Sequence, residues 1–86
     1  MYLVILKPTA RKHLRKLPHR DQERISLALE HLAENPFFGK KLDRELTGFY
    51  SMRVWPYRIV YIIEQKIITV TVVSIGHRKD VYRRLG

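Results

Sequence analysis

Residues 49–82 read FYSMRVWPYRIVYIIEQKIITVTVVSIGHRKDVY, and their alternation decides the fold. In Tyr57-Arg58-Ile59-Val60-Tyr61, side chains of an extended chain point to opposite faces in turn, so Arg58 lies on one face and Tyr57, Ile59 and Tyr61 on the other. The same rule in Tyr50-Ser51-Met52-Arg53-Val54-Trp55 sends Tyr50, Met52 and Val54 one way and Ser51, Arg53 and Trp55 the other. Trp55-Pro56 forms a tight turn between strands expected over about 49–55 and 57–64, which places Arg53 beside Arg58. Like charges side by side destabilise a sheet, so a face that collects them points to an anionic ligand. A further strand is predicted over 67–75 after a turn near Glu64-Gln65-Lys66; it is almost continuously apolar or β-branched and so belongs inside the sheet. Gly76 then allows the chain to bend away into His77-Arg78-Lys79-Asp80-Val81-Tyr82.

Outward from this stretch, Tyr2-Leu3-Val4-Ile5-Leu6 is a short strand that pairs beside the apolar one, with Pro8 opening a helix. Over Thr9–Leu17, Ala10, Leu14 and Leu17 form the apolar stripe, and Lys12, Arg15 and Lys16 sit on a basic outer face. A second helix runs from about His19 or Arg20 to Glu34, burying Ile25, Ala28, Leu29 and Leu32, and stops at Asn35-Pro36. Residues 36–48 have no clean period and read as a connecting loop tacked down by Phe37, Phe38, Leu42 and Leu46. In the tail, Asp80 is placed to cap a last helical turn, Arg78 and Tyr82 share a face four residues apart, and Val81 and Leu85 anchor the opposite side. The expected architecture is a single α+β domain over residues 1–86: an N-terminal strand, a two-helix hairpin on one sheet face, three antiparallel strands and a short C-terminal tail or helix.

The chain has 86 residues, 17 Lys and Arg against 8 Asp and Glu, and a formal charge of +9. A domain of this size buries only on the order of 60–65% of its unfolded surface, which argues against a deep enclosed pocket. The charge points to a polyanionic partner, and it is shared between residues 1–48 (+4) and 49–86 (+5). The absence of cysteine excludes disulfides and thiol chemistry and fits a reducing cytoplasm. The apolar run at the N-terminus is too short for a membrane span or a signal segment. No ligand spacing suggests a metal, and no glycine-rich phosphate loop or small-molecule cofactor site is present.

Arginine keeps its charge and grips phosphate with a planar fork, so Arg53, Arg58 and Arg78 suit the stabilisation of a phosphate. Lys79 adds to that charge. Cleavage of RNA by a 2′-hydroxyl also needs groups that move protons, and Tyr82 and His77 are the ones near the arginines in sequence. Each residue alone has an ordinary explanation: a solvated strand arginine, a tyrosine that anchors a tail, a histidine that ends a strand. Lys12, Arg15 and Lys16 are either a solvated helix face or an RNA or ribosome footprint. His13, His19 and His31 read as solvated.

Several motifs together resemble the RelE branch of the RelE/ParE toxin superfamily. They are Leu14-Arg15-Lys16-Leu17-Pro18, Asn35-Pro36, Lys41-Leu42 through Leu46-Thr47-Gly48, Arg53-Val54, Tyr57-Arg58-Ile59-Val60-Tyr61 and Gly76-His77-Arg78-Lys79-Asp80-Val81-Tyr82. The resemblance covers nearly the whole chain. It implies a RelE-like, microbial-RNase-like fold, a toxin that cuts mRNA in the ribosomal A site, and a cognate acidic RelB-like antitoxin. It also implies that Arg58 and Arg78 handle phosphate, that Tyr82 is the tail tyrosine, and that Arg53 is the second of two basic strand residues, with Ser51 at the place of the first. His77 stands where some relatives carry a basic residue, which implies for it a share of the acid/base work. The ParE branch, which poisons DNA gyrase on the same fold, and a non-catalytic RNA-binding module are the two other readings of the charge.

Overall fold

The computed structural model describes residues 1–83. Its elements are β1 (Leu3–Leu6), α1 (Pro8–Arg15), α2 (His19–Glu34), β2 (Lys40–Lys41), β3 (Tyr50–Val54), β4 (Tyr57–Glu64) and β5 (Thr69–His77). One five-stranded sheet runs in the order β1-β5-β4-β3-β2, with β1 parallel to β5 and the other pairs antiparallel. The apolar β5 therefore lies inside the sheet beside β1, as its composition predicts. Both helices pack on one face, where Ala10, Ile25, Ala28 and Leu32 meet Ile59, Tyr61, Val70, Val72 and Ile75 in the core.

The spacing of the core residues on β5 changes from two to three between Val72 and Ile75. A bulge makes this possible: Val60 pairs with Ser74 but Tyr61 pairs with Val72, so Val73 is the extra residue. The phase shift puts Ile75 into the core and Gly76 opposite Arg58 on the other face, where it brings no side chain against the guanidinium.

That second face is partly covered by the tail. Backbone N–H groups of Asp80 and Val81 donate to the His77 carbonyl, and the N–H of Arg83 donates to that of Asp80. Val81 is buried, and its carbonyl accepts a 3.2 Å bond from Ser74 Oγ. Asp80 reaches Arg83 at 4.0 Å instead of capping the turn. Leu85, expected as a second anchor, lies outside the described residues.

Four boundaries differ from the sequence reading. Helix α1 starts at Pro8 and ends at Arg15, because Lys16 and Leu17 tighten onto His13 and Leu14 through three-residue bonds. The 36–48 segment is not plain loop: Lys40 and Lys41 pair with Ser51 and Tyr50, adding a fourth antiparallel strand. Gln65–Ile67 form a 3-10 turn, and Ile68 takes a left-handed conformation (φ 48°), so β5 begins at Thr69 with both isoleucines exposed. Gly76 stays within β5, because Tyr57 and Arg58 continue the ladder to His77, and the chain turns only afterwards.

The 36–48 segment is held mainly from below. Pro36 is buried, and the buried Tyr61 hydroxyl donates to its carbonyl at 2.7 Å while accepting the Gly39 N–H at 3.2 Å. Phe37 and Phe38, expected as its tacks, are about half exposed or more (48% and 62%). A Cβ on Gly39 would run into the Tyr61 hydroxyl and come within 2.9 Å of the Ser51 carbonyl, so only glycine allows so close an approach.

Candidate functional site

On the sheet face away from the helices, β3 and β4 pair Arg53 directly with Arg58. Ser51, two residues earlier on β3, shares that face and is buried. Its hydroxyl accepts a 3.3 Å bond from Arg58 Nη1 and lies 3.0 Å from the Tyr82 hydroxyl, where either oxygen can donate. A serine thus links an arginine on the sheet to a tyrosine from the tail. The ion pairs among the described residues are His19–Glu23, Arg24–Asp21 and Arg83–Asp80, and none includes Arg53, Arg58 or Arg78. Two adjacent guanidinium groups without a carboxylate partner favour an anion supplied from outside.

Beside them lies an open groove of about 330 Å³, lined by Phe38, Gly39, Lys40, Ser51, Met52, Arg53 and Arg58. Lys40 stands opposite Ser51 on the neighbouring strand, which brings a third cation to this face.

Arg78 enters from the turn after β5. Its backbone N–H donates to the Pro56 carbonyl at 3.0 Å, and its guanidinium lies over the Trp55 ring, 4.7 Å from the centroid. Trp55 follows Ser51 and Arg53 in the alternation and is 54% exposed. The hairpin turn beneath it is fastened to α2: Arg24 Nη2 donates to the Trp55 carbonyl at 2.6 Å, Arg24 pairs with Asp21, and the Tyr57 hydroxyl donates to Asp21 Oδ2 at 2.8 Å. The Asp21 hydrogen bond, with burial and the carboxylate charge, raises the Tyr57 pKa above the ordinary tyrosine value. Burial pushes Tyr61 up to about 12.

The structure joins Arg58 and Tyr82 through Ser51, places Arg53 beside Arg58, and sets Arg78 at the hairpin end of the same region. His77 is placed differently. It pairs with Tyr57, one step out of phase with Arg58, which assigns it to the opposite face, and its Nδ1 lies 3.4 Å from the Lys79 N–H. Lys79 is exposed on the turn. Lys12 and Lys16 are exposed on the helix layer, across the sheet from the arginine pair. Sequence reasoning missed Lys40 and Phe38, because nothing in an aperiodic loop marks a two-residue strand. It met Ser51 only as a departure from a basic residue, although its phase with Arg53 already put it on the right face.

The family model for the ParE toxin of type II toxin–antitoxin systems matches residues 4–82. The chain is 40% identical to toxin RelG of Mycobacterium tuberculosis over 85 residues, which cover 96% of this chain and 98% of that one. It belongs to the RelE/ParE toxin family. Among solved structures, the RelBE2 toxin–antitoxin complex of M. tuberculosis matches with a TM-score of 0.84 at 37% identity, covering 90% of this chain and 98% of that chain. The isolated Escherichia coli RelE toxin matches with a TM-score of 0.78 at 26% identity, covering 99% and 95%. The RelE/ParE chain described here is thus a toxin of a type II toxin–antitoxin system. Among its described residues no helix is long and apolar enough to cross a membrane.

Proposed function

We propose that this toxin is a ribosome-dependent endoribonuclease that cuts mRNA in the A site, working in the cytoplasm under the control of an acidic RelB-like antitoxin. The observation that carries this reading is the Tyr82–Ser51–Arg58 hydrogen-bonded chain with Arg53 beside Arg58, neither arginine having a carboxylate partner among the described residues. In the proposed reaction the 2′-oxygen attacks the adjacent phosphorus, the bond from phosphorus to the 5′-oxygen breaks, and a 2′,3′-cyclic phosphate forms. One proton must leave the 2′-hydroxyl and another must reach the departing 5′-oxygen. Arg58 and Arg53 hold the phosphate, and Arg78, on its tryptophan support, meets the charge that develops on the non-bridging oxygens. Tyr82 transfers or positions a proton, held in place by Ser51. His77 has no part in this scheme, since its register assigns it to the other face.

The antitoxin reading rests on charge and on relatives: a chain at +9 calls for an acidic partner, and related toxins crystallise as RelBE and RelE–RelB complexes. A gyrase-directed toxin without nuclease activity is the second reading, favoured by the ParE description of the matching family model. Expression without antitoxin, followed by mapping of mRNA 5′ ends in translating and non-translating extracts, separates the two. New 5′ ends inside codons, present only during translation, support the nuclease. Intact mRNA with inhibited DNA supercoiling supports the gyrase reading.

A further inference from the structure

The groove beside the arginine pair has an aromatic rim that the proposed reaction leaves unused. Phe38 is 62% exposed although the backbone that carries it is firmly held. On one side Pro36 is buried and bonded to Tyr61; on the other, Gly39 is pressed against Tyr61 and Ser51, and Lys40 enters the sheet opposite Ser51. The ring has an edge contact with His31 (4.8 Å between centroids) and otherwise lines the groove with Lys40, Arg53 and Arg58. Leaving a phenylalanine in water forgoes the free energy of burying it, and fixing its backbone does not recover that. An exposed aromatic ring beside a row of cations is the arrangement that binds single-stranded nucleic acid: the cations follow the phosphates and the ring stacks on a base.

We infer that Phe38 and Lys40 form a nucleotide subsite, in which the base next to the scissile phosphate stacks on Phe38 and Lys40 pairs with that nucleotide's phosphate. This subsite rests on the nuclease reading. Its occupant is single-stranded RNA, because the charged side chains lining the groove are all cations and the ring offers a flat face to any base. An acidic protein segment would satisfy the cations but would not depend on a base.

The test is single-turnover cleavage of mRNA on programmed ribosomes, read as half-saturating toxin concentration and maximal rate. Phe38→Ala raises the half-saturating concentration by roughly 5- to 150-fold, the span that one base–aromatic stack is worth, and changes the maximal rate much less. Phe38→Tyr restores binding. Lys40→Gln lowers the salt slope of RNA binding by about 0.7. On mRNAs carrying an abasic nucleotide at each A-site position in turn, wild type loses affinity at one position, and there Phe38→Ala costs nothing further. A Phe38→Ala variant like wild type, while Arg58→Ala is inactive, overturns the subsite and leaves the nuclease reading standing. A Phe38→Ala loss undiminished on every abasic mRNA also overturns it, assigning Phe38 to a protein contact. Absence of cleavage by wild type overturns both.

Discussion

Replacing Tyr61 by phenylalanine removes one oxygen and tests how the groove is built. The ring is fully buried and stacks on Tyr50 (5.6 Å, 20° between planes), and phenylalanine keeps that packing. What disappears are the bond donated to the Pro36 carbonyl and the bond accepted from the Gly39 N–H. Each leaves a backbone group without its partner, at a cost of about 1–3 kcal/mol when water cannot replace it. Because the segment can relax outward to reach water, we expect a total of about 2–4 kcal/mol, or a Tm lower by about 10–25 °C for a domain of this size. Denaturant unfolding measures the loss, and amide exchange should show it concentrated at Gly39 and Lys40. The pH dependence follows from the raised pKa of about 12. A tyrosine whose folded pKa exceeds its unfolded value of about 10 stabilises the fold fully below pH 10 and loses that contribution as pH rises to 12. The Phe variant lacks this group, so the stability gap between the two proteins should narrow from pH 10 upward. A variant within about 0.5 kcal/mol of wild type at pH 7 would refute the argument that this hydroxyl holds the segment, and a gap that does not narrow would refute the burial of the hydroxyl.

Gly39→Ala drives a methyl group into the Tyr61 hydroxyl and the Ser51 carbonyl, neither free to yield, and should destabilise by about 1–3 kcal/mol in thermal unfolding. Arg53→Gln relieves repulsion with Arg58 on the paired strand, so it should stabilise by roughly 0.5 kcal/mol while weakening single-stranded RNA binding; a loss of stability would mean the two charges already have a partner. Arg58→Ala should lower the salt slope of RNA binding by about 0.7, measured by titration at several salt concentrations, and an unchanged slope would place Arg58 away from the phosphates. Asp21→Asn removes the carboxylate that raises the Tyr57 pKa, so ultraviolet titration should show Tyr57 ionising at lower pH than in wild type.

Alternation made the sheet legible in the sequence. Once Tyr57–Tyr61 is a strand, Arg58 must leave the core, and the short Trp55-Pro56 turn pairs it with Arg53. The apolar run of β5 announced its interior place for the same reason, since only a strand covered on both faces tolerates it. Features set by distant partners were not legible. Lys40 is in a strand only because Ser51 happens to lie beside it, and two residues carry no period. The bulge at Val73, which turns Gly76 toward Arg58, depends on the register of β4 against β5. Hydrophobicity alone read Phe38 as a tack on its loop and Ile67–Ile68 as the start of an interior strand, because composition does not reveal when backbone geometry holds an apolar side chain at the surface. Within the candidate site, the arginines and Tyr82 were legible from their motifs, whereas the Ser51 hydroxyl that links Arg58 to Tyr82 emerged only with the tail folded onto the sheet.

The measurement that bears most directly on the proposed chemistry is the single-turnover rate of mRNA cleavage on programmed ribosomes for Arg78→Ala, Tyr82→Phe and their double mutant. If Arg78 stabilises the charge developing on the phosphate and Tyr82 handles a proton in the same step, each single change should lower the rate by roughly 100-fold or more, with the fold intact. The double mutant should then lose less than the product of the two. Rates near wild type for both single variants would contradict the account.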